Sequence, residues 1–153
     1  MKYLAAVCAI SFVSTIYAQT PSKSAAQLLQ EKHPEVKWEA SSAKVADFDC
    51  DGEPDAVVLG SQGHKVAVGV VWGNREKNPD VFTFALNSAS QDAFCAMPKR
   101  VEVAAHDCDS GNATLPGCKS SRSCKDFMVV DDTCDSFNFY WDVDSKRLAW
   151  WRR

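Results

Sequence analysis

The sequence is poor in the signatures that mark the commonest enzyme classes. It has no glycine-rich phosphate loop, no G-x-S-x-G elbow and no H-E-x-x-H helix, which removes nucleotide-dependent enzymes, serine hydrolases of that type and zincin-like metalloproteases. Histidines number only 3, and His33, His64 and His106 have no metal-ligand spacing and no nucleophile partner. Each is expected to play a generic exposed or half-buried role. No Cys-x-x-Cys pair is present, so neither a dithiol redox motif nor a zinc ribbon is expected. Basic residues (17) are outnumbered by acidic ones (20), which argues against non-specific nucleic-acid binding, since that needs a cationic surplus to displace counterions. The apolar stretch Leu4 to Val13 is too short to cross hydrocarbon.

What is present describes a folded domain. Hydrophobic residues make up 46% and charged residues 24%, close to the globular average and unlike a disordered chain. Lys2, the apolar run and the small Ala18 after Ile16-Tyr17 follow the layout of a secretory signal peptide over residues 1–18. The remaining residues 19–153 are expected to be one β-rich domain, periplasmic or secreted, with no membrane span after cleavage. Cys8 leaves with the leader. Cys50, Cys95, Cys108, Cys118, Cys124 and Cys134 stay. An even number of cysteines in an oxidising compartment reads as three disulfides. The spacing does not fix their connectivity, although Cys118 and Cys124 flank the short polar loop 119–123 and form a favoured pair.

Along the mature chain, Ser22 or Ser24 caps a short helix through Ala25, Ala26, Leu28 and Leu29, and Pro34 ends it near His33. The apolar period then changes from 3.6 to 2. Val36 with Trp38, Lys44 to Phe48, Asp55 to Leu59, Val66 to Trp72, Phe82 to Leu86, Val101 with Val103, and Lys125 to Val130 are candidate strands. Phe137 to Val143 and Leu148 to Trp151 form an expected hairpin across Asp144-Ser145-Lys146. The fold class is therefore mostly β: antiparallel sheets, propeller-blade-like or a sandwich, with one short N-terminal helix and disulfide bracing. Segments 73–80, 87–100 and 106–123 are expected loops. Asn112-Ala113-Thr114 is a formal glycosylation sequon, relevant only in a eukaryotic secretory pathway.

The sharpest signal is Asp47-Phe48-Asp49-Cys50-Asp51-Gly52-Glu53-Pro54-Asp55. Carboxylates at alternate positions of a tight loop converge on one centre, and like charges that close demand a cation. Asp47, Asp49, Asp51 and Asp55 would supply carboxylate oxygens and Glu53 its carbonyl. Gly52 would allow the turn. A hard cation with six to eight oxygens, Ca2+, suits this set better than Mg2+, which keeps its waters. Val58 replaces the bidentate Glu of an EF-hand, and strand-like segments flank the loop instead of helices. The segment Val45 to Val58 resembles the calcium loop of FG-GAP and VCBS repeats, found in propeller blades of exported proteins. Cys50 stands where that family usually has a small residue, which implies a disulfide from the loop to another strand. Asp107-Cys108-Asp109-Ser110-Gly111 is a partial second copy and reads as a polar turn.

By size, export and loop the chain is similar to periplasmic immunity proteins that inhibit peptidoglycan hydrolases. The resemblance implies a non-enzymatic calcium-binding inhibitor whose partner is such a hydrolase or another exported protein. One alternative is a carbohydrate- or surface-binding module using Trp72, Tyr140 and Trp151. Another is an unrecognised periplasmic hydrolase built on some pair of carboxylates. Trp150 is expected in the core, with Trp151 on the opposite face of its strand.

Overall fold

The structure, a computed structural model, describes residues 23–74, 76–87, 90–111 and 113–152. The proposed leader, Cys8, and Asn112 of the sequon lie outside the described residues.

Ser24 caps helix α1 (Ala25–Lys32): the Gln27 amide donates to Ser24 Oγ at 3.3 Å, and the Ser24 amide donates to Gln27 Oε1 at 2.8 Å. This reciprocal pair satisfies two of the amides that a helix start leaves without partners. The helix stops at His33, just before Pro34, as the sequence predicts.

Strands β1 (Lys37–Ala46), β2 (Asp55–Gln62), β3 (Lys65–Val71) and β4 (Asp80–Leu86) pair antiparallel in chain order. The two-residue β5 (Ala93–Phe94) joins β4 in parallel. A second antiparallel meander follows: β6 (Arg100–Ala105), β7 (Lys125–Val130), β8 (Phe137–Asp142) and β9 (Arg147–Arg152). The expected mostly antiparallel, disulfide-braced β fold with one short helix is what the chain adopts. Among the described residues no helix is long and apolar enough to cross a membrane.

The two sheets bury one cluster between them. Val57, Leu59, Val66, Val68, Val70 and Phe84 from the first meet Val101, Phe127, Val129, Phe137, Phe139 and Leu148 from the second. Phe127 and Phe139 stack at 4.6 Å, and Phe84 meets Phe137 at the same centroid distance. Both faces of β2 and β3 are apolar for a simple reason: the outer face of the first sheet lies beneath α1 and Trp38. A Cβ on Gly69 would stand 2.7 Å from Leu29 Cδ1 and 2.7 Å from ring carbons of Trp38, closer than carbon atoms approach. Glycine lets helix and sheet touch.

Two expectations are corrected. Trp38 and Lys44–Ala46 do not lie on separate strands; both belong to β1, whose register slips between Glu39 and Lys44, while Val36, Asp47 and Phe48 fall outside it. Ser42 bridges that irregularity, accepting from the Leu59 amide at 2.8 Å and donating to the Glu39 carbonyl at 2.6 Å. Nor does Cys118 pair with Cys124. The disulfides are Cys50–Cys124, Cys95–Cys134 and Cys108–Cys118. Cys124 is fully buried and enters β7 facing the acidic loop, whereas Cys118 stays in the long loop opposite Cys108. The short connection 119–123 carries the chain from one place to the other.

Candidate metal centre

The loop between β1 and β2 is pinned on one side. Phe48 is fully buried and meets Phe127 at 5.0 Å, and Cys50 is bonded to Cys124. The Lys125 amide donates to the Asp47 carbonyl at 2.8 Å, so the loop is tied to the second sheet through backbone as well. The implied disulfide from Cys50 to another strand is thus present, next to the start of β7.

With Phe48 turned inward, its neighbours Asp47 and Asp49 turn toward Asp55. One carboxylate oxygen of each of these three lies within 4.8 Å of the others, an arrangement that can hold a metal ion. Asp55, 1% exposed, accepts from the Phe48 amide through Oδ2 and from the Gly73 amide through Oδ1, both at 2.8 Å. Asp49 accepts from the Asp51 amide at 3.2 Å through Oδ1, and its Oδ2 receives the Lys77 ammonium. Asp47 Oδ2 accepts from the Gly52 amide at 3.1 Å. Asp47 Oδ1 is buried with no hydrogen-bond partner.

The other two candidates stay outside this group. Asp51 and Glu53 are exposed, and Asp51 Oδ1 caps the Glu53 amide at 2.8 Å. Cys50 (φ 63°) and Gly52 (φ 90°) both adopt left-handed backbone, which breaks the two-residue alternation after Asp49.

Burial pushes the Asp55 carboxyl above its ordinary value; the charges of Asp49 and Asp51 add to this, against the Gly73 and Phe48 bonds. Lys77 is a neighbour of the three carboxylates that spacing did not reveal. Burial opposes its charge, but the bond to Asp49 and the charges of Asp49, Asp51 and Asp55 outweigh it and raise its pKa. Its ammonium also lies 5.3 Å from the Trp72 ring centroid and 5.5 Å from that of Trp141. The site therefore carries one tethered cation against three converging carboxylates, a net negative charge.

No known protein family, curated protein or solved structure matches this chain. What the site can do is therefore read from its own geometry.

Elsewhere, Asp107 to Gly111 is a polar turn: the Asp109 amide donates to Asp107 Oδ1 and the Gly111 amide to Asp109 Oδ1. The three-ring platform weighed for sugar stacking is not assembled. Trp72 and Tyr140 are each 5% exposed, with the Tyr140 hydroxyl donating to the Pro116 carbonyl. Trp150 packs on Phe84 and Phe137 as expected. Trp151 is half-buried and lines a cavity of about 460 Å³ with Asp107, Asp109, Asp126 and Asp135. His33 is half-buried and His64 exposed, as anticipated, but His106 is not generic: its side chain is 1% exposed and lies against Asp126.

Proposed function

We propose that this protein is an exported calcium-binding β-domain that acts as a protein-binding inhibitor of a cell-wall hydrolase, in the manner of the periplasmic immunity proteins it resembles. The observation that carries the ion is the orphaned Asp47 Oδ1 beside Asp49 and Asp55. A buried, unpaired acceptor costs about 1–3 kcal/mol, and a cation coordinated there removes that cost. Carboxylates on an irregular loop suit Ca2+, which accepts varied oxygen geometry, better than Mg2+. Affinity is expected at ~10⁻⁴–10⁻³ M, the range of extracellular calcium modules.

Thermal unfolding tests this. Calcium in excess raises the melting temperature, because a ligand that binds only the folded state stabilises it by mass action, by about 2.7 kcal/mol at a hundredfold excess over Kd. Asp49→Ala abolishes the calcium-dependent part. Melting curves that coincide in calcium and in chelator defeat the proposal for the ion.

For the inhibitory role, support comes from the loop 106–123. It is fastened to the second sheet by the Tyr140–Pro116 bond and by the Val143 amide on the Gly117 carbonyl at 2.9 Å. A loop held in its binding shape spends little entropy on docking. Asp107 and Asp109 of the loop line one cavity with Asp135 and Trp151 of the second sheet's side, a surface complementary to a basic cleft. Charge reversal by Asp109→Lys with Asp135→Lys is expected to weaken inhibition chiefly through the association rate, an effect that shrinks as salt rises. Inhibition kinetics against purified peptidoglycan hydrolases give the measurement. Failure to inhibit or capture any of them refutes this role and leaves the ion site untouched.

A further inference from the structure

We propose that Cys108–Cys118 is a thiol–disulfide exchange site, in which buried His106, held by Asp126, stabilises the departing Cys118 thiolate. The site is remote in sequence from the acidic loop and does not depend on it. His106 Nδ1 lies 2.6 Å from Asp126 Oδ1, and Nε2 lies 2.9 Å from the Lys119 carbonyl. Nε2 is also 3.4 Å from Cys118 Sγ and 3.8 Å from Cys108 Sγ.

A carbonyl and a carboxylate are both acceptors. Two contacts therefore need two protons: either both ring nitrogens donate, or Asp126 carries a proton to Nδ1 while Nε2 donates to Lys119. A neutral ring beside an ionised carboxylate holds one proton fewer. In either arrangement Nε2 carries a proton, and Nε2 is the ring nitrogen that faces the two sulfurs, where a thiolate would appear. Among the described residues, the charged residues that the hydrogen bonds bring to the ring are Asp126 from β7, Asp107, whose amide donates to Asp126 Oδ2 at 3.1 Å, and Lys119, an exposed residue that offers its carbonyl. Cys108 and Cys118 are half-buried, within reach of a small reagent. Cys124 of the Cys50 bridge is fully buried.

The exchange needs an external dithiol. Its first thiolate attacks Cys108 Sγ, forming a mixed disulfide, and the S–S electron pair leaves on Cys118. The second thiol then attacks the reagent's own sulfur in the mixed disulfide, closing the reagent's ring and releasing Cys108. The dithiol is oxidised and the protein disulfide takes up its two electrons. Its two protons pass to Cys108 and to the Cys118–His106 pair. A leaving thiol of lower pKa departs faster, so the imidazole directs cleavage to this bridge and this polarity.

The test uses the full mature chain with dithiothreitol and peptide mapping. Cys108–Cys118 is expected to open first, with the other two bridges intact. Iodoacetamide then traps Cys118 with a pH midpoint at least about one unit below the ~8.5 of an ordinary cysteine, while Cys108 keeps the ordinary profile. His106→Gln moves the Cys118 midpoint back, cutting its alkylation rate near pH 6.5 by about tenfold or more. Asp126→Asn shifts it in the same direction. The wild-type profile stands by itself if either variant fails to fold. Equal, ordinary profiles for both cysteines, or earlier opening of another bridge, overturn the proposal.

Discussion

At the scale of single residues, two aspartates of the acidic loop differ in what they do without an ion. Asp55 satisfies two amides that bind β1 to β2 and β2 to the end of β3. Asp47 spends one oxygen on Gly52 and leaves the other unpaired. Asp55→Asn replaces one acceptor by an amide donor, so one of the two N–H groups loses its partner at about 1–3 kcal/mol. The melting temperature should fall even in chelator. Asp47→Asn keeps the bond to Gly52 and removes an uncompensated charge, so in chelator it should be neutral or slightly stabilising while eliminating the response to calcium. Equal losses for the two variants in chelator would refute this division of labour. The spacing made Asp47 and Asp49 legible because alternate positions beside an inward Phe48 share a side, and Asp55 was legible as the carboxylate that closes the loop. Cys50 and Gly52 leave the extended backbone on which alternation depends, and the residues Asp51 and Glu53 are exposed. Lys77 was invisible for another reason. It stands 28 residues from Asp49, on the connection between β3 and β4, which strand pairing brings to the start of β2.

At the scale of elements, most of the strands were readable from their two-residue period. The helix itself was readable from its cap and Pro34, but its seat on the first sheet was not, since Gly69 inside a strand looks like a weakness until Leu29 of the helix and Trp38 are in place. Gly69→Ala puts a methyl group within 2.7 Å of Leu29 and Trp38. Overpacking of a close interface costs about 1–3 kcal/mol, and the change should loosen α1 before it disturbs the central cluster. Hydrogen exchange would show faster protection loss in Ala25–Lys32 than in β7 and β8. Uniform loss across both sheets would mean that α1 is not a separable layer. The short β5 escaped detection because two paired residues carry no period, although Phe94, 1% exposed, completes the aromatic cluster through Phe84 and Phe137.

At the scale of the molecule, disulfides and hydrogen bonds tie the two sheets together, and one of these ties responds to pH. Asp131, 2% exposed, accepts from the amides of Cys95 (2.9 Å), Ala96 (3.2 Å), Thr133 (2.9 Å) and Cys134 (2.9 Å), next to the Cys95–Cys134 bridge. Burial resists its charge, but these four bonds outweigh burial and hold its pKa below the ordinary aspartate value. The unfolded chain titrates this group near ~3.9. A carboxylate depressed in the folded state binds fewer protons there, so its contribution is complete above the unfolded value and disappears as pH falls through the lower folded one. Asp131→Asn removes that dependence and cannot accept from four amides as well. The gap in unfolding free energy between wild type and variant should therefore be constant from neutral pH down to about 5 and then narrow toward pH 2. Asp55, raised rather than depressed, acts in the opposite sense: its protonation favours the fold as pH falls and partly masks the trend in the wild type. Comparing variant with wild type cancels that background, because Asp55 is present in both. Urea titrations across this range decide the matter, and a gap that stays fixed down to pH 2 would show that the Asp131 charge does not hold the sheets together.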